Sequence, residues 1–422
     1  MTFDPRVALQ YAASLSRPRR VGSGEDEKVA QEIEERLRGW GWHVERQPFT
    51  FSTASEVFLK LFILASVLLV AALLVWPERV LAVMLVVLIA MFMPLQRSVQ
   101  ARALEQNGRG LKWGKHYTTA NLIARPSLRG ALPSDEAISV HNGDCFASFD
   151  SAAAARSCRS ARDARNDETP HLYLVAHYDS KSQRMPLVMR MTLFMLAISA
   201  GLILVVLTLF DVSTVLRLPI GLLALASAVP LLLLDVGNTS PGAIDNASSV
   251  GLILHLAELL AQRTDWQDKL QMTLLIPSAE EMTLMGSVAY VTAHEALLRD
   301  QAERGGLRVL NFDGVGVDGD LYFIGGSRQR QNGDRINLLT CVQDACAELH
   351  LPLKRFGFIG ALFDHIPFAQ RGFDAISLIT VGRASRSVHT PQDSIDQLHL
   401  RGFDQAGQVA LHMIERMIGG IA

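Results

Sequence analysis

The chain has 422 residues, of which 49% are hydrophobic and 19% charged, and 40 Lys and Arg residues nearly balance 42 Asp and Glu residues. The resulting net charge of −2 argues against a polyanionic partner, so we expect no nucleic-acid binding. Four cysteines without a CxxC pair exclude a disulfide scaffold and a thiolate zinc site. Because soluble domains carry roughly 25% charged residues, the low charged fraction indicates that part of the chain lies in lipid.

The first predicted elements are an amphipathic helix over residues 24–40 and an alternating strand over 43–51. The first 50 residues contain no long apolar segment, so we expect no signal peptide. Two strongly apolar blocks stand farther along the chain, and a short break divides each block into two segments. The four apolar segments are 57–76, 80–95, 191–210 and 218–234.

These segments predict two transmembrane hairpins, over 54–97 and 183–238, that anchor the protein in a lipid bilayer. A helix needs about 20 apolar residues to cross the hydrocarbon core, and the segments lack the polar stripe of a core helix. The two short connectors contribute only Arg79 and Arg217, whereas eight basic residues flank the spans on the other side. Basic flanks face the cytoplasm, so we expect four spans and a cytoplasmic catalytic domain. The eight basic residues are Arg46, Arg97, Arg102, Arg109, Lys112, Lys115, Lys181 and Arg184.

The chain outside the hairpins, residues 1–53, 98–182 and 239–422, alternates between short apolar strands and helical segments. This alternation predicts a three-layer α/β/α domain with a mixed, largely parallel central sheet. Residues 132–170 are rich in Ala, Ser, Asp and Arg without a period, and we interpret them as a loop insertion. The predicted strands are 172–176, 272–277, 309–312 and 375–380, and the predicted helices are 248–262, 286–299, 334–349 and 400–417.

Ionisable side chains occur in five segments, each directly after a predicted strand or before a predicted helix. The segment LYLVAHYDS contains His177 and Asp179, whose spacing of two places both on one face of the strand end. Sites in such sheets form at the carboxyl ends of strands, and several carboxylates that converge there need a cation. The other segments are SPGAIDNASS with Asp245, IPSAEEMTLMGS with Glu280 and Glu281, NFDGVG with Asp313, and SVHTPQDSID with His389.

The number of candidate ligands suits two divalent metals. Imidazole and carboxylate groups favour Zn²⁺, with Mn²⁺ or Co²⁺ as alternatives. Two histidines and three carboxylates can give each metal one imidazole, one terminal carboxylate and one shared carboxylate. Two metals about 3.5–4 Å apart can hold a water molecule and polarise a carbonyl group. This count leaves Glu280 as a general base and Asp179 as the hydrogen-bond partner of His177. The three carboxylates are Asp245, Glu281 and Asp313.

In these segments the sequence resembles peptidase family M28, which includes di-zinc aminopeptidases, glutamate carboxypeptidase-type enzymes and glutaminyl cyclases. NLIAR, residues 121–125, resembles the family's strand before the first motif, and LFDHIPF, residues 362–368, resembles its late substrate-pocket segment. The resemblance covers residues 20–53, 116–128, 171–182 and 239–415. The motifs that carry it are AHYDS, SPGAIDNASS, AEEMTLMGS, NFDGVG and HTPQDSID.

The resemblance implies a zinc-exopeptidase domain with two zinc ions per chain. In this family pattern Glu280 is the general base and Asp179 orients His177. The implied ligands of the first zinc are His177, Asp245 and Asp313. The implied ligands of the second zinc are Asp245, Glu281 and His389.

This chain departs from the family pattern without losing a metal ligand. Asp179 and Asp245 are 66 positions apart because the second hairpin lies between them, whereas soluble members have a much shorter loop. Ser249 and Ala279 stand where the family often has Gly, and Phe363 replaces the Ser that usually precedes the late Asp. These departures affect the expected shape of the substrate pocket rather than the metal chemistry.

The sequence thus predicts a membrane-anchored zinc aminopeptidase that removes N-terminal residues from peptides. One alternative within the family is a glutaminyl cyclase, which uses a single zinc; retention of His177 and Asp313 leans against it. Another is a carboxypeptidase, for which Arg383 and Arg386 would bind the terminal carboxylate. A non-catalytic membrane scaffold is the alternative outside the enzymes, although such a domain should have lost a ligand.

The second hairpin also predicts where the active site lies. Asp179 precedes residue 191 by 12 positions, so we expect the mouth of the site close to the bilayer surface. Two interpretations of the hairpins follow. Either the substrate is a peptide presented at the lipid surface, or the hairpins only tether the enzyme.

Overall fold

An eight-stranded mixed sheet organises the computed structural model, which describes residues 2–105, 109–127, 169–263, 265–326, 337–357 and 362–420. A separate two-stranded ribbon pairs residues Ser182–Gln183 with Val236–Gly237. In chain order the strands are β1 (Trp42–Ser52), β2 (His116–Pro126), β3 (His171–Val175), β4 (Ser182–Gln183), β5 (Val236–Gly237), β6 (Gln271–Ile276), β7 (Leu307–Phe312), β8 (Gly319–Ile324), β9 (Leu353–Arg355) and β10 (Asp374–Gly382).

Four neighbouring strands at the centre of the sheet, β6, β3, β7 and β10, run parallel. The full strand order is β1-β2-β6-β3-β7-β10-β8-β9. The register places Leu172 of β3 opposite Met272 of β6 and Arg308 of β7. Because the four strands are parallel, their carboxyl ends meet at one edge of the sheet.

Helices cover both faces of the sheet, which gives three layers. Along β3, Leu172 and Leu174 belong to one core cluster with residues of five helices, whereas Tyr173 and Val175 belong to a second cluster with residues of two other helices. The strand therefore buries both of its faces, as expected for a central strand. In chain order the helices are α1 (Pro5–Leu15), α2 (Glu25–Gly39), α3 (Ala54–Val75), α4 (Arg79–Ala103), α5 (Leu187–Leu209), α6 (Thr214–Ala228), α7 (Ser248–Ala261), α8 (Met285–Arg304), α9 (Leu338–Glu348), α10 (His365–Gln370) and α11 (Leu400–Ile418).

The two apolar hairpins, α3–α4 and α5–α6, pack against each other and form what we call the apolar bundle. Its core contains residues from all four helices, among them Val70, Leu85, Leu204 and Ala224. A 3₁₀ turn, Val229–Leu233, continues α6 towards the sheet domain. Many large apolar side chains on the outside of the bundle are exposed, for example Leu68 at 60%. This outer surface is typical of helices that face lipid.

By length and composition, five helical segments of the described chain are apolar enough to cross a membrane. Four of them belong to the apolar bundle. The fifth, Ala243–Ala261, includes α7 and has 83% of its most apolar window buried. That segment packs in the core of the sheet domain, so its apolar character reflects burial within protein.

The predicted three-layer fold with a mixed central sheet is confirmed. The second helical segment of each hairpin is longer than its apolar run, because α4 continues to Ala103, and α6 begins at Thr214 and is continued by the 3₁₀ turn to Leu233. Helix α1 and strand β8 were not predicted. The predicted loop insertion 132–170 lies outside the described residues apart from 169 and 170, as do residues 334–336 of the predicted helix 334–349.

Candidate metal centre

The central strand β3 places His177 and Asp179 at the carboxyl edge of the sheet. Both side chains are buried, His177 completely. His177 Nε2 lies 3.2 Å from Asp245 Oδ1, and His177 Nδ1 lies 3.5 Å from Asp179 Oδ1. The second distance is long for a hydrogen bond. Asp179 instead accepts hydrogen bonds from the backbone N–H groups of Glu280 and Glu281, at 3.1 and 3.3 Å.

Asp245 lies in a π-helical turn, Ala243–Ala247, that leads into α7. Two neighbouring contacts hold this turn in place. The side chain of Asp393 accepts hydrogen bonds from Ile244 N at 2.6 Å and Asp245 N at 3.4 Å. Asn246 Nδ2 donates to Phe312 O at 3.1 Å, while Asn246 Oδ1 accepts from Gly314 N at 3.0 Å. The turn is therefore fixed to the loop that carries Asp313.

All five predicted ligands converge in two adjoining groups. Asp245, Glu281 and His389 form the first group, with His389 Nε2 at 3.0 Å from Asp245 Oδ2 and at 3.1 Å from Glu281 Oε1. The second group contains His177, Asp313 and Glu280. In each group one atom from every residue lies within 4.8 Å of the others. Asp245 reaches both groups, because one carboxylate oxygen faces His177 and the other faces His389.

The residues fit two divalent cations. Several of their buried polar atoms have no hydrogen-bond partner within the described part of the chain: Nε2 of His177, Nε2 of His389, Asp245 Oδ1 and Glu281 Oε1. Orphaned polar atoms are rare in protein interiors, and here all four converge on two points. The donor set of imidazole and carboxylate without thiolate suits Zn²⁺. Glu280 also lies beside these ligands, because its Oε2 is 3.9 Å from His177 Nε2, as near as Asp313 Oδ2.

The protein supplies an excess of negative charge to this centre. Burial raises the pKa of Asp313 well above its usual value, and the charge of Asp245 raises it further. Burial likewise raises the pKa of Glu280, with a further contribution from Glu281. Burial alone would raise the pKa of Asp245 as well, but His177 and His389 lower it well below the usual range. Divalent cations would stabilise all of these carboxylates in their charged form.

Lys181, which the sequence indicates only as one of the basic residues flanking the spans, is part of the centre. Its Nζ lies 2.7 Å from Glu281 Oε2 and donates to the Glu281 carbonyl at 3.1 Å. This contact occupies one carboxylate oxygen and leaves Oε1 facing His389. Glu281 is therefore arranged to offer a single oxygen to a metal. A lysine two positions after Asp179 carries no signal in the sequence that would separate it from a surface lysine.

Arg19 was also missed, although it is completely buried. Its guanidinium donates to the carbonyl oxygens of Tyr178 at 2.5 Å, Pro241 at 2.6 Å and Gly242 at 2.9 Å. Burial lowers its pKa to about 10, so the side chain stays charged at neutral pH. Arg19 thus joins the loop after His177 to the loop before Asp245. These two loops flank the inserted hairpin α5–α6.

The β4–β5 ribbon closes the base of the same insertion. Ser182 pairs with Gly237, and Ser182 Oγ accepts a hydrogen bond from Thr239 N at 3.0 Å. Gln183 N donates to the His389 carbonyl at 2.9 Å. The ends of the hairpin are therefore in direct contact with a residue of the candidate metal centre.

The predicted substrate-pocket segment contributes one buried carboxylate. Burial raises the pKa of Asp364 to about 6, and the side chain is completely buried. Arg383 and Arg386, the predicted carboxylate-binding residues of a carboxypeptidase, lie on a 3₁₀ turn, Arg383–Ser387, and both are exposed. Exposed arginines make a weak pocket for a terminal carboxylate, because solvent screens their charge.

A three-layer α/β domain with buried His, Asp and Glu side chains at the carboxyl edge of its sheet is typical of metallohydrolases. The sequence model of peptidase family M28 matches residues 160–414, which is more than half of the chain. The chain therefore belongs to peptidase family M28. No curated protein matches the chain.

Solved structures of the same fold include both aminopeptidases and glutaminyl cyclases. The aminopeptidase from Aneurinibacillus sp. strain AM-1 is 16% identical, with a TM-score of 0.52 over 98% of this chain and 93% of that one. BSAP, a zinc aminopeptidase from Bacillus subtilis, is 15% identical, with a TM-score of 0.52 over 99% and 95%. The glutaminyl cyclase of Porphyromonas gingivalis is 13% identical, with a TM-score of 0.51 over 98% of both chains. At these identities the similarity establishes the fold alone.

Replacing Arg19 by Met should lower both the stability of the protein and its affinity for zinc. The substitution leaves several buried carbonyl groups unsatisfied, which we expect to cost about 2–4 kcal/mol. Thermal unfolding and competition with a zinc chelator measure the two effects. Arg17→Met is the matched control, because Arg17 forms ion pairs with Glu25 and Glu32 near the surface and should matter little. Equal effects of the two substitutions would contradict the role given to Arg19.

Proposed function

We propose that this chain is a membrane-anchored, zinc-dependent aminopeptidase that removes N-terminal residues from peptides. The observation that carries the proposal is the convergence of two groups of ligands on Asp245, with the carboxylate of Glu280 beside them. The proposed ligands of one zinc are His177, Asp245 and Asp313. The proposed ligands of the other zinc are Asp245, Glu281 and His389.

Two zinc ions held there would polarise the substrate carbonyl and lower the pKa of a water molecule. Glu280 would act as the general base, because its buried carboxylate lies 3.9 Å from His177 Nε2 and points into the centre. Its carboxylate oxygen would accept a proton from the attacking water and return it to the leaving amine. Asp179 would hold Glu280 and Glu281 in register through its two backbone hydrogen bonds.

A second candidate, glutaminyl cyclase, is favoured by the solved cyclases that share this fold. A cyclase of this family uses one zinc, whereas both candidate groups of ligands are complete in this chain. A peptide that begins with Gln distinguishes the two activities in one assay. An aminopeptidase releases free glutamine, whereas a cyclase releases ammonia and leaves a blocked amino terminus.

Replacing Glu280 by Gln should lower turnover of an aminoacyl anilide by about 10²–10⁴-fold, because the amide cannot accept the proton. Zinc content should stay at the wild-type level, since the proposed ligand set does not include this side chain. Turnover and metal content are measured on the same preparation. Glu295→Gln is the control, because Glu295 lies on the surface of α8 and pairs with Arg299 and Arg371. Wild-type turnover by E280Q, or loss of zinc, would refute the assignment of Glu280 as a base.

The membrane anchor is the part of the proposal that rests on the apolar bundle. Its four helical segments have 20 to 25 residues each, long enough to cross the hydrocarbon core. Basic residues at the domain end, such as Arg97, Arg102 and Arg184, favour a cytoplasmic position for the sheet domain.

The full-length chain should stay in the membrane pellet after extraction at alkaline pH, because four apolar spans hold it there. In sealed inside-out vesicles, added protease should digest the sheet domain without detergent. In right-side-out vesicles the domain should survive until detergent is added. Release at alkaline pH would contradict the anchor, and digestion only in right-side-out vesicles would reverse the orientation.

A further inference from the structure

An apolar cavity lies inside the bundle, and the proposed function does not use it. It measures about 720 Å³ including its open mouth, and residues of α3, α4, α5 and α6 all line it. Among the described lining residues Ser66 is the polar one, and its hydroxyl donates to the Phe62 carbonyl at 2.9 Å. Within the described residues, therefore, no side chain in the walls has a free hydrogen-bond donor for a ligand. Such a cavity selects hydrocarbon.

The cavity occupies the middle of the bundle and reaches towards the sheet domain. Phe62 and Phe194, which line it, are eight and seven residues from the domain ends of α3 and α5. At a rise of about 1.5 Å per residue, both lie about 10–12 Å from the domain. Leu231, another lining residue, belongs to the 3₁₀ turn that leads directly into β5.

Packing is tight at Gly221, which lies seven residues from the loop end of α6. A Cβ atom added at Gly221 would lie 2.4 Å from Leu74 Cδ2, so Leu74 occupies the notch that this glycine leaves. A Cβ atom added at Gly201, which lines the cavity, would meet only Leu85 Cδ2, at 4.0 Å. The cavity thus extends from Phe62 and Phe194, near the sheet domain, to Val70, Leu85 and Gly201 in the farther half of the bundle.

The cavity also opens on the outer surface of the bundle. Ile198 lines it and is 38% exposed. In a bilayer this mouth would face hydrocarbon, so a chain could enter sideways from the membrane. The domain ends of α5 and α6 lead to the β4–β5 ribbon, which contacts the carbonyl of His389. A molecule with its hydrocarbon chain in the cavity would therefore have its polar end near the candidate metal centre.

We propose that the cavity binds a long hydrocarbon chain attached to the substrate, so that the enzyme acts on lipid-modified peptides. This inference rests on the proposed aminopeptidase function and names its substrate class. The bundle then presents the substrate as well as anchoring the enzyme. The chain in the cavity fixes the peptide at the bilayer surface, and the free amino terminus extends to the zinc ligands.

The test compares two peptides that differ only in the acyl group on one lysine side chain, hexadecanoyl or acetyl. Gly201→Leu fills the cavity and should raise KM for the hexadecanoyl peptide by about tenfold or more. KM for the acetyl peptide should not change, because that peptide leaves the cavity unused. Ser199→Leu is the matched control, since Ser199 is exposed on the same helix and does not line the cavity. Ala197→Leu, also in the lining, provides a second variant if the first does not fold.

An equal change in KM for the two peptides, or no change for either, would overturn the proposal. A second arm uses the hexadecanoyl peptide with a diazirine on its chain. The diazirine should label α5 or α6 in the wild type, and the label should be lost in Gly201→Leu; this result supports the site. If the label behaves in this way but neither peptide is hydrolysed, only the proposed aminopeptidase function fails. Labelling by a diazirine phospholipid that the peptide does not displace would assign the cavity to a membrane lipid and overturn the proposal.

Discussion

The structure depends on one electrostatic constraint: several carboxylates and two imidazoles are buried together at the edge of a sheet. Asp245 stands at the middle, with one oxygen 3.2 Å from His177 and the other 3.0 Å from His389. Without positive charge, burial and mutual repulsion disfavour the ionised forms of Asp313 and Glu280. The parallel strands nevertheless bring these carboxylates together in a buried position. Such an arrangement is expected where bound cations balance the negative charge.

The second hairpin interrupts the chain between two residues of this centre, yet the centre stays assembled. Arg19 accounts for this, because one buried guanidinium binds carbonyl groups on both sides of the insertion. The β4–β5 ribbon joins the two ends of the hairpin again at the domain surface. The same ribbon connects the bundle to His389, because Gln183 N donates to the His389 carbonyl. The inserted hairpin α5–α6 therefore lies beside the proposed zinc ligands.

The sequence was sufficient to predict the central strands, the long helices and the convergence of the five candidate side chains, because each depends on a local pattern. Apolar runs predict buried strands, and polar residues directly after them predict a shared edge. Arg19 and Lys181 could not be predicted, since their roles depend on contacts with residues more than 90 positions away. The packing of the two hairpins into one bundle, and the cavity within it, likewise arise from contacts between segments that show no periodicity of their own. Strand β8 was missed although it contains the apolar run LYFI; the run is short, and only Leu321 within it is fully buried.

The zinc content of the purified full-length chain, measured by native mass spectrometry, tests the account most directly. Two ions should be bound per wild-type chain, and Asp245→Ala should lose both, because its carboxylate is the proposed ligand that reaches each half of the centre. A single zinc in the wild type would contradict the account, as would two zinc ions retained without Asp245.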